Sequence, residues 1–176
     1  MHTTVRENVD VYISPGSHKL ARASNGRLWC IFLDRTNGDI DIKVGYSDNN
    51  GSTWTLETVK ATANAPEDCA LAIDSADTVH VVWGERGVGI TATLRYRSRT
   101  KSGDWDTETE VYAITGTNAS AAPDIAVDHN DTVHVVWRSR HVDGANYGIL
   151  HHRERVNGVW GATENLVNGE VNETSF

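Results

Sequence analysis

Three arginines stand just beyond apolar runs. Arg35 follows Leu28-Trp29-Cys30-Ile31-Phe32, Arg86 follows Val79-His80-Val81-Val82-Trp83, and Arg140 follows Val133-His134-Val135-Val136-Trp137. The third lies in the segment Arg138-Ser139-Arg140-His141-Val142-Asp143-Gly144-Ala145-Asn146-Tyr147. A guanidinium presents several donors in a planar fork, imidazole and carboxylate add directional polar atoms, and a phenol adds a stacking face. Together these groups suit a sugar, with polar groups for its hydroxyls and rings for its apolar face. Arg35, Arg86, Arg140, His141, Asp143 and Tyr147 are therefore the candidate ligand-binding residues. Metal chemistry is less well served. His151 and His152 are adjacent, so on a strand they point to opposite faces. His141, Asp143 and His151 could meet only across a hairpin. The turn Asp48-Asn49-Asn50 offers oxygen ligands for Ca²⁺, but hydrogen bonding alone accounts for it. No metal and no cofactor is expected.

The elements that must carry these residues repeat. Leu28 to Val79 is 51 residues, and Val79 to Val133 is 54. Trp54, Trp105 and Trp160 keep the same step. Each unit reads as a short apolar strand, a polar turn, a strong strand, a variable loop, a third strand, a tight turn and a weak fourth strand. The first strands are expected at 19–23, 69–74 and 124–128, and the second at 28–34, 79–85 and 133–139. The third are expected at 41–47, 91–98 and 147–153, and the fourth near 55–59, 108–112 and 163–167. Such a period suits a four-stranded propeller blade. The second strands are apolar without alternation, as expected when both faces of a sheet are covered. Residue types that recur in register are read as structural. His80 and His134 are expected to pack between sheets, Asp74 and Asp128 to bind turn amides, and Trp29, Trp83 and Trp137 to lie in the core. Cys30 and Cys69 sit in apolar runs and are expected to be buried free thiols; a bridge between neighbouring sheets is the alternative.

The stretch Ser47-Asp48-Asn49-Asn50-Gly51-Ser52-Thr53-Trp54 resembles the Asp-box, S-x-D-x-G-x-T-W, of sialidase-like β-propellers. Asp48 is expected to bond backbone N–H groups of the turn, Gly51 to supply a positive φ, and Trp54 to cover the turn. Ser47, Asp48, Gly51, Thr53 and Trp54 are thus structural. The resemblance implies an all-β propeller of four-stranded antiparallel blades, about three in this chain: 17–60, 66–114 and 121–168. Residues 169–176 would begin a further blade, and 8–13 could serve as a closing strand. Sialidases clamp a substrate carboxylate with three arginines, and Arg35, Arg86 and Arg140 invite that role. The family draws its arginines from non-equivalent places, whereas these are repeat-equivalent. The family's R-I-P motif is absent. Tyr46, Tyr96, Tyr147, Glu85, Asp34 and Asp143 could supply its nucleophile and acid/base, but their spacing singles out no pair.

A net charge of −8 over 176 residues argues against nucleic acid as a partner. No run of about 18 apolar residues could cross a membrane as a helix. Residues 1–7 lack the apolar core of a secretory signal, so a cytoplasmic or virion-associated setting is expected, the latter by analogy with phage propellers. Three blades make too small a ring, so either copies self-associate or a longer parent supplies the rest. The expected function is a non-catalytic module binding glycan or protein. The alternatives are a fragment of an exo-sialidase-like glycoside hydrolase and an oligomerising scaffold.

Overall fold

The computed structural model describes residues 11–12, 18–36, 40–61, 66–86, 91–101, 103–115, 122–140 and 148–168, with Arg140 described by its backbone alone. These residues form fourteen strands in three antiparallel sheets. The first sheet holds β1 (Val11–Tyr12), β2 (Leu20–Arg22), β3 (Leu28–Asp34), β4 (Asp41–Ser47) and β5 (Thr55–Lys60). The second holds β6 (Pro66–Ile73), β7 (Val79–Arg86), β8 (Thr91–Arg99) and β9 (Thr109–Thr115). The third holds β10 (Ala122–Val127), β11 (Val133–Arg140), β12 (Gly148–Val156), β13 (Val159–Trp160) and β14 (Glu164–Asn168). The expected strands are present with ends shifted by a few residues. None of the described residues forms a helix long and apolar enough to cross a membrane.

Register makes the repeat exact at the level of residues. Leu28 pairs with Ser47, Val79 with Arg99 and Val133 with Arg155. Each sheet also carries one unpaired residue where the fourth strand meets the third: Val59, Val111 and Leu166. The sheets stack face to face. Trp29, Ile31 and Leu33 of β3 bury against Val79, Val81 and Trp83 of β7. The other face of β7 gives Val82 to a second cluster with Val133, Val135 and Trp137 of β11. That is why β7 is buried at every position but its last, and why it shows no alternation in the sequence. His80 packs at this second junction, between Tyr96 and Asp74. Asp74 and Asp128 each accept two amide hydrogens of the following turn, from Ala76 and Thr78 and from Asn130 and Thr132.

The turn after β4 differs from expectation in its chemistry. Asn49, not Asp48, occupies the acidic place of the S-x-D pattern. Its Oδ1 accepts the Thr53 N–H at 2.8 Å, its Nδ2 donates to Thr53 Oγ1 at 2.8 Å, and Ser47 Oγ accepts the Gly51 N–H at 2.9 Å. An amide oxygen satisfies the same turn donors as a carboxylate. Asp48 points out of the turn, and its two oxygens take the Nε and Nη2 of Arg27 at 2.7 and 2.9 Å. Gly51 has the expected positive φ of 83°, and Trp54 Nε1 donates to the Gly51 carbonyl at 3.2 Å. Asn49→Ala should therefore cost about 1–2 kcal/mol, from three side-chain hydrogen bonds lost to a turn, while Asp48→Asn should leave the urea midpoint unmoved. The reverse order would restore the role first expected of Asp48.

Two further expectations are corrected. The strand expected at 8–13 is present as Val11–Tyr12, but it pairs with Leu33 and Asp34 and so extends the first sheet rather than another. Cys69 is buried and Cys30 only half-buried; both are free thiols. Burial pushes the Cys69 thiol up to about 12, so it stays protonated and inert near neutral pH.

Candidate functional site

The second strands end on buried polar groups in matched positions: Asp34, Glu85 and Ser139. Each is bound within its own sheet. Asp34 accepts Lys43 Nζ at 2.6 Å, the Thr36 amide at 3.0 Å and the Thr36 hydroxyl at 2.5 Å. Glu85 accepts Trp83 Nε1–H at 2.8 Å, with Arg95 Nε at 3.9 Å. Ser139 donates its hydroxyl to His151 Nε2 at 2.6 Å, and His151 Nδ1–H donates to Asn165 Oδ1 at 2.8 Å. Burial lowers the His151 pKa, which keeps the ring neutral and fits that tautomer.

One residue further on, each strand delivers an arginine position. Arg35 and Arg86 are exposed, and Arg140 ends β11 opposite Gly148. The three therefore occupy equivalent ends of three separate sheets. His141, Asp143 and Tyr147 lie outside the described residues, as do the loop residues 37–39 and 87–90. His151, the described member of the possible group His141, Asp143 and His151, is engaged by Ser139 and Asn165. Among the described residues no group of three or more His, Cys, Asp or Glu side chains could hold a metal ion.

Sequence reasoning missed a second polar group, where the first strands meet. Lys19 Nζ donates to Asp68 Oδ1 at 2.6 Å and to the Cys69 carbonyl, joining the first sheet to the second. His18 joins the first sheet to the third: its amide and Nδ1 donate to Asp124 Oδ1 at 3.0 and 2.9 Å. Burial pushes the Asp124 carboxyl up, but the His18 amide and ring and the Ile125 amide outweigh it and hold the carboxyl below its usual range. No repeat marked these residues, because Lys19 and His18 reach aspartates at non-equivalent positions in two different sheets.

Among the described residues, Asp34, Asp48, Asp77, Asp124, Asp128 and Asp131 are all held below the ordinary carboxyl range. A general acid needs the opposite, a carboxyl held protonated near neutral pH. Asp34 is the clearest case. Burial pushes its pKa up, but Lys43 and Thr36 prevail and bring it to about 2, from an ordinary 3.8. Its folded value lies below its unfolded one. The stabilisation is therefore complete above about pH 4 and lost as pH falls toward 2, about 2 kcal/mol in all. Lys43→Met should remove most of that slope from urea titrations run between pH 4 and 2. A slope that survives the substitution would show that Lys43 is not its source.

No family model matches the chain, and no curated protein does. Solved structures do. The chain aligns with the Hadza microbial sialidase Hz136 at a TM-score of 0.65 and 15% identity, over 81% of this chain and 35% of that one. The fold is sialidase-like. Polysaccharide lyase Uly1 aligns at 0.59 and 10% identity, over 83% of this chain and 39% of that one. A protein of unknown function from Dyadobacter fermentans DSM 18053 aligns at 0.57 and 11%, over 77% and 36%. The chain thus spans well under half the length of each of these structures.

Proposed function

We propose that the three sheets are blades of a β-propeller that binds a glycan through the loops after its second strands and does not turn it over. The observation that carries this reading is the matched set of strand ends. Each places an arginine position, Arg35, Arg86 or Arg140, one residue past a buried, internally satisfied polar group on a rigid sheet. Loops held by such a scaffold are where ligands are usually met. Guanidinium forks favour a glycan that carries carboxylates. His141, Asp143 and Tyr147 follow Arg140 and would add hydroxyl contacts and a stacking ring. The turn at Ser47–Trp54 is read as an Asp-box with asparagine in the acidic place. Two proteins sharing the fold are named a sialidase and a polysaccharide lyase, which favours sugar polymers as the ligand class.

Asp34, one of the carboxyls that could serve as an acid, is held ionised by Lys43 and Thr36, which favours binding over hydrolysis at that position. The second reading, part of an exo-sialidase-like glycoside hydrolase, has the sialidase likeness in its favour. A glycan array followed by titration separates the two. Retained acidic glycans, no fluorophore released from a sialoside reporter, and about tenfold weaker binding by Arg86→Ala are the expected results. Release of fluorophore would favour the hydrolase, and an array without hits would end the glycan reading.

A further inference from the structure

The two sheet-to-sheet junctions are built with the same three devices, and all three run in one direction. The first is an aspartate in the first hairpin of the later sheet, at positive φ. Asp77 Oδ1 accepts the Ser24 N–H at 2.6 Å. Asp131 accepts the Ser75 N–H at 2.8 Å and its hydroxyl at 2.6 Å. The second is an arginine on the third strand that reaches the bulge of the earlier sheet. Arg97 Nη1 donates to the Val59 carbonyl at 2.5 Å, and Arg153 Nη1 donates to the Val111 carbonyl. The third is an arginine two residues later, laid over an aromatic of the earlier sheet. Arg99 sits 5.4 Å from the Trp29 ring centre, and Arg155 sits 4.9 Å from that of Tyr96.

The first sheet has none of these groups. Register places Gly26 where Asp77 and Asp131 stand, Gly45 where Arg97 and Arg153 stand, and Ser47 where Arg99 and Arg155 stand. The third sheet, in contrast, repeats the receiving surface. His134 takes the place of Trp29 and of His80, and His152, whose Nε2 lies 3.0 Å from His134 Nδ1, takes that of Tyr96. Leu166 fills the bulge position. It is 51% exposed, against 1% for Val59 and for Val111. Leu150 is 38% exposed, against 0% for its counterparts Ile42 and Leu94. Apolar positions that both junctions bury are left open here.

We infer that this face of the third sheet, lined by His134, His152, Leu150 and Leu166, docks one further sheet of the same repeat, with an aspartate in its first hairpin and Arg-x-Arg on its third strand. The argument is continuity with two established interfaces of the same register. It also excludes a second copy of this chain as the occupant through its first sheet, because Gly26, Gly45 and Ser47 supply no grip.

The test supplies the missing sheet. The full chain is extended at its C-terminus by a second copy of residues 66–115, which carry Asp77, Arg97 and Arg99. One cooperative melt is expected, with a midpoint at least about 5 °C above that of the unextended chain. The amides of Leu150 and Leu166 should exchange at least about tenfold more slowly. Asp77→Gly, Arg97→Gly and Arg99→Ser in the appended copy should abolish both gains. Leu166→Glu in the receiving sheet, with the appended copy intact, should do the same. A separate melt for the appended copy with Leu150 and Leu166 exchange unchanged would overturn the inference. So would a defined particle of several unextended chains that Leu166→Glu disperses.

Discussion

Trp83→Ala should lower stability by about 4 kcal/mol, the middle of the range for removing a buried aromatic side chain. The indole is fully buried among Val79, Val81 and the β3 side chains, at the centre of the first junction. The loss has two parts, which conservative variants separate. Trp83→Phe keeps most of the volume but removes the Nε1–H donor from Glu85, a buried carboxylate. It should cost about 1–3 kcal/mol, since an unsatisfied buried acceptor keeps its desolvation penalty. Trp137 occupies the matched place in β11 and is equally buried, but its Nε1 has no partner among the described residues. Trp137→Phe should be near neutral, because it removes an unsatisfied donor as well as a little volume. Urea midpoints of the four proteins decide the matter. Equal losses for the two Trp→Phe variants would show that the Glu85 bond contributes nothing.

That contrast also marks what could be read from residues in order. The apolar runs Val79–Trp83 and Val133–Trp137 announce strands, and their spacing announces a repeat, because burial on both faces leaves a continuous apolar signal. Asp74 and Asp128 were legible too, since a side-chain cap on a turn is a local event between residues two and four apart. What each indole nitrogen meets is not local in the same sense. Glu85 lies two residues from Trp83, but the matched residue after Trp137 is Ser139, which turns to His151 instead. The Asp48 expectation failed for a related reason. Asp48 and Asn49 both offer an oxygen to the turn, and an arginine 21 residues upstream decides that Asp48 faces out.

The candidate site was legible only in outline. The matched positions of Arg35, Arg86 and Arg140 follow from the repeat. The links of Lys19 to Asp68 and of His18 to Asp124 do not, because the strands that carry them meet only after the sheets stack. The Arg-x-Arg signal was present in Arg97-Ser98-Arg99 and Arg153-Glu154-Arg155, and its absence from Gly45-Tyr46-Ser47 was equally visible. Its role is not local, because Arg97 and Arg153 meet their partners Val59 and Val111 only across the stacked sheets.

Arg97→Met should be the second most damaging single change, at about 3 kcal/mol. The guanidinium spends its donors on three backbone carbonyls: Nε to Asp106 at 2.7 Å, Nη2 to Trp105 at 3.1 Å and Nη1 to Val59 at 2.5 Å. Two of these close the turn before β9, and the third crosses to the first sheet. Methionine keeps the aliphatic stem, so packing is nearly conserved and the loss reports the hydrogen bonds. A bond to a charged donor contributes about 1.5–3 kcal/mol net, and bonds sharing one side chain do not add in full. Lysine keeps the charge but has no planar fork and cannot meet three carbonyls at once, so Arg97→Lys should recover less than half of the loss. Amide exchange locates the damage. Loss of the crossing bond should speed exchange in β5 around Val59, in a sheet that contains no mutated residue. If exchange quickens only around Asp106, Arg97 serves its own turn alone and does not hold the sheets together.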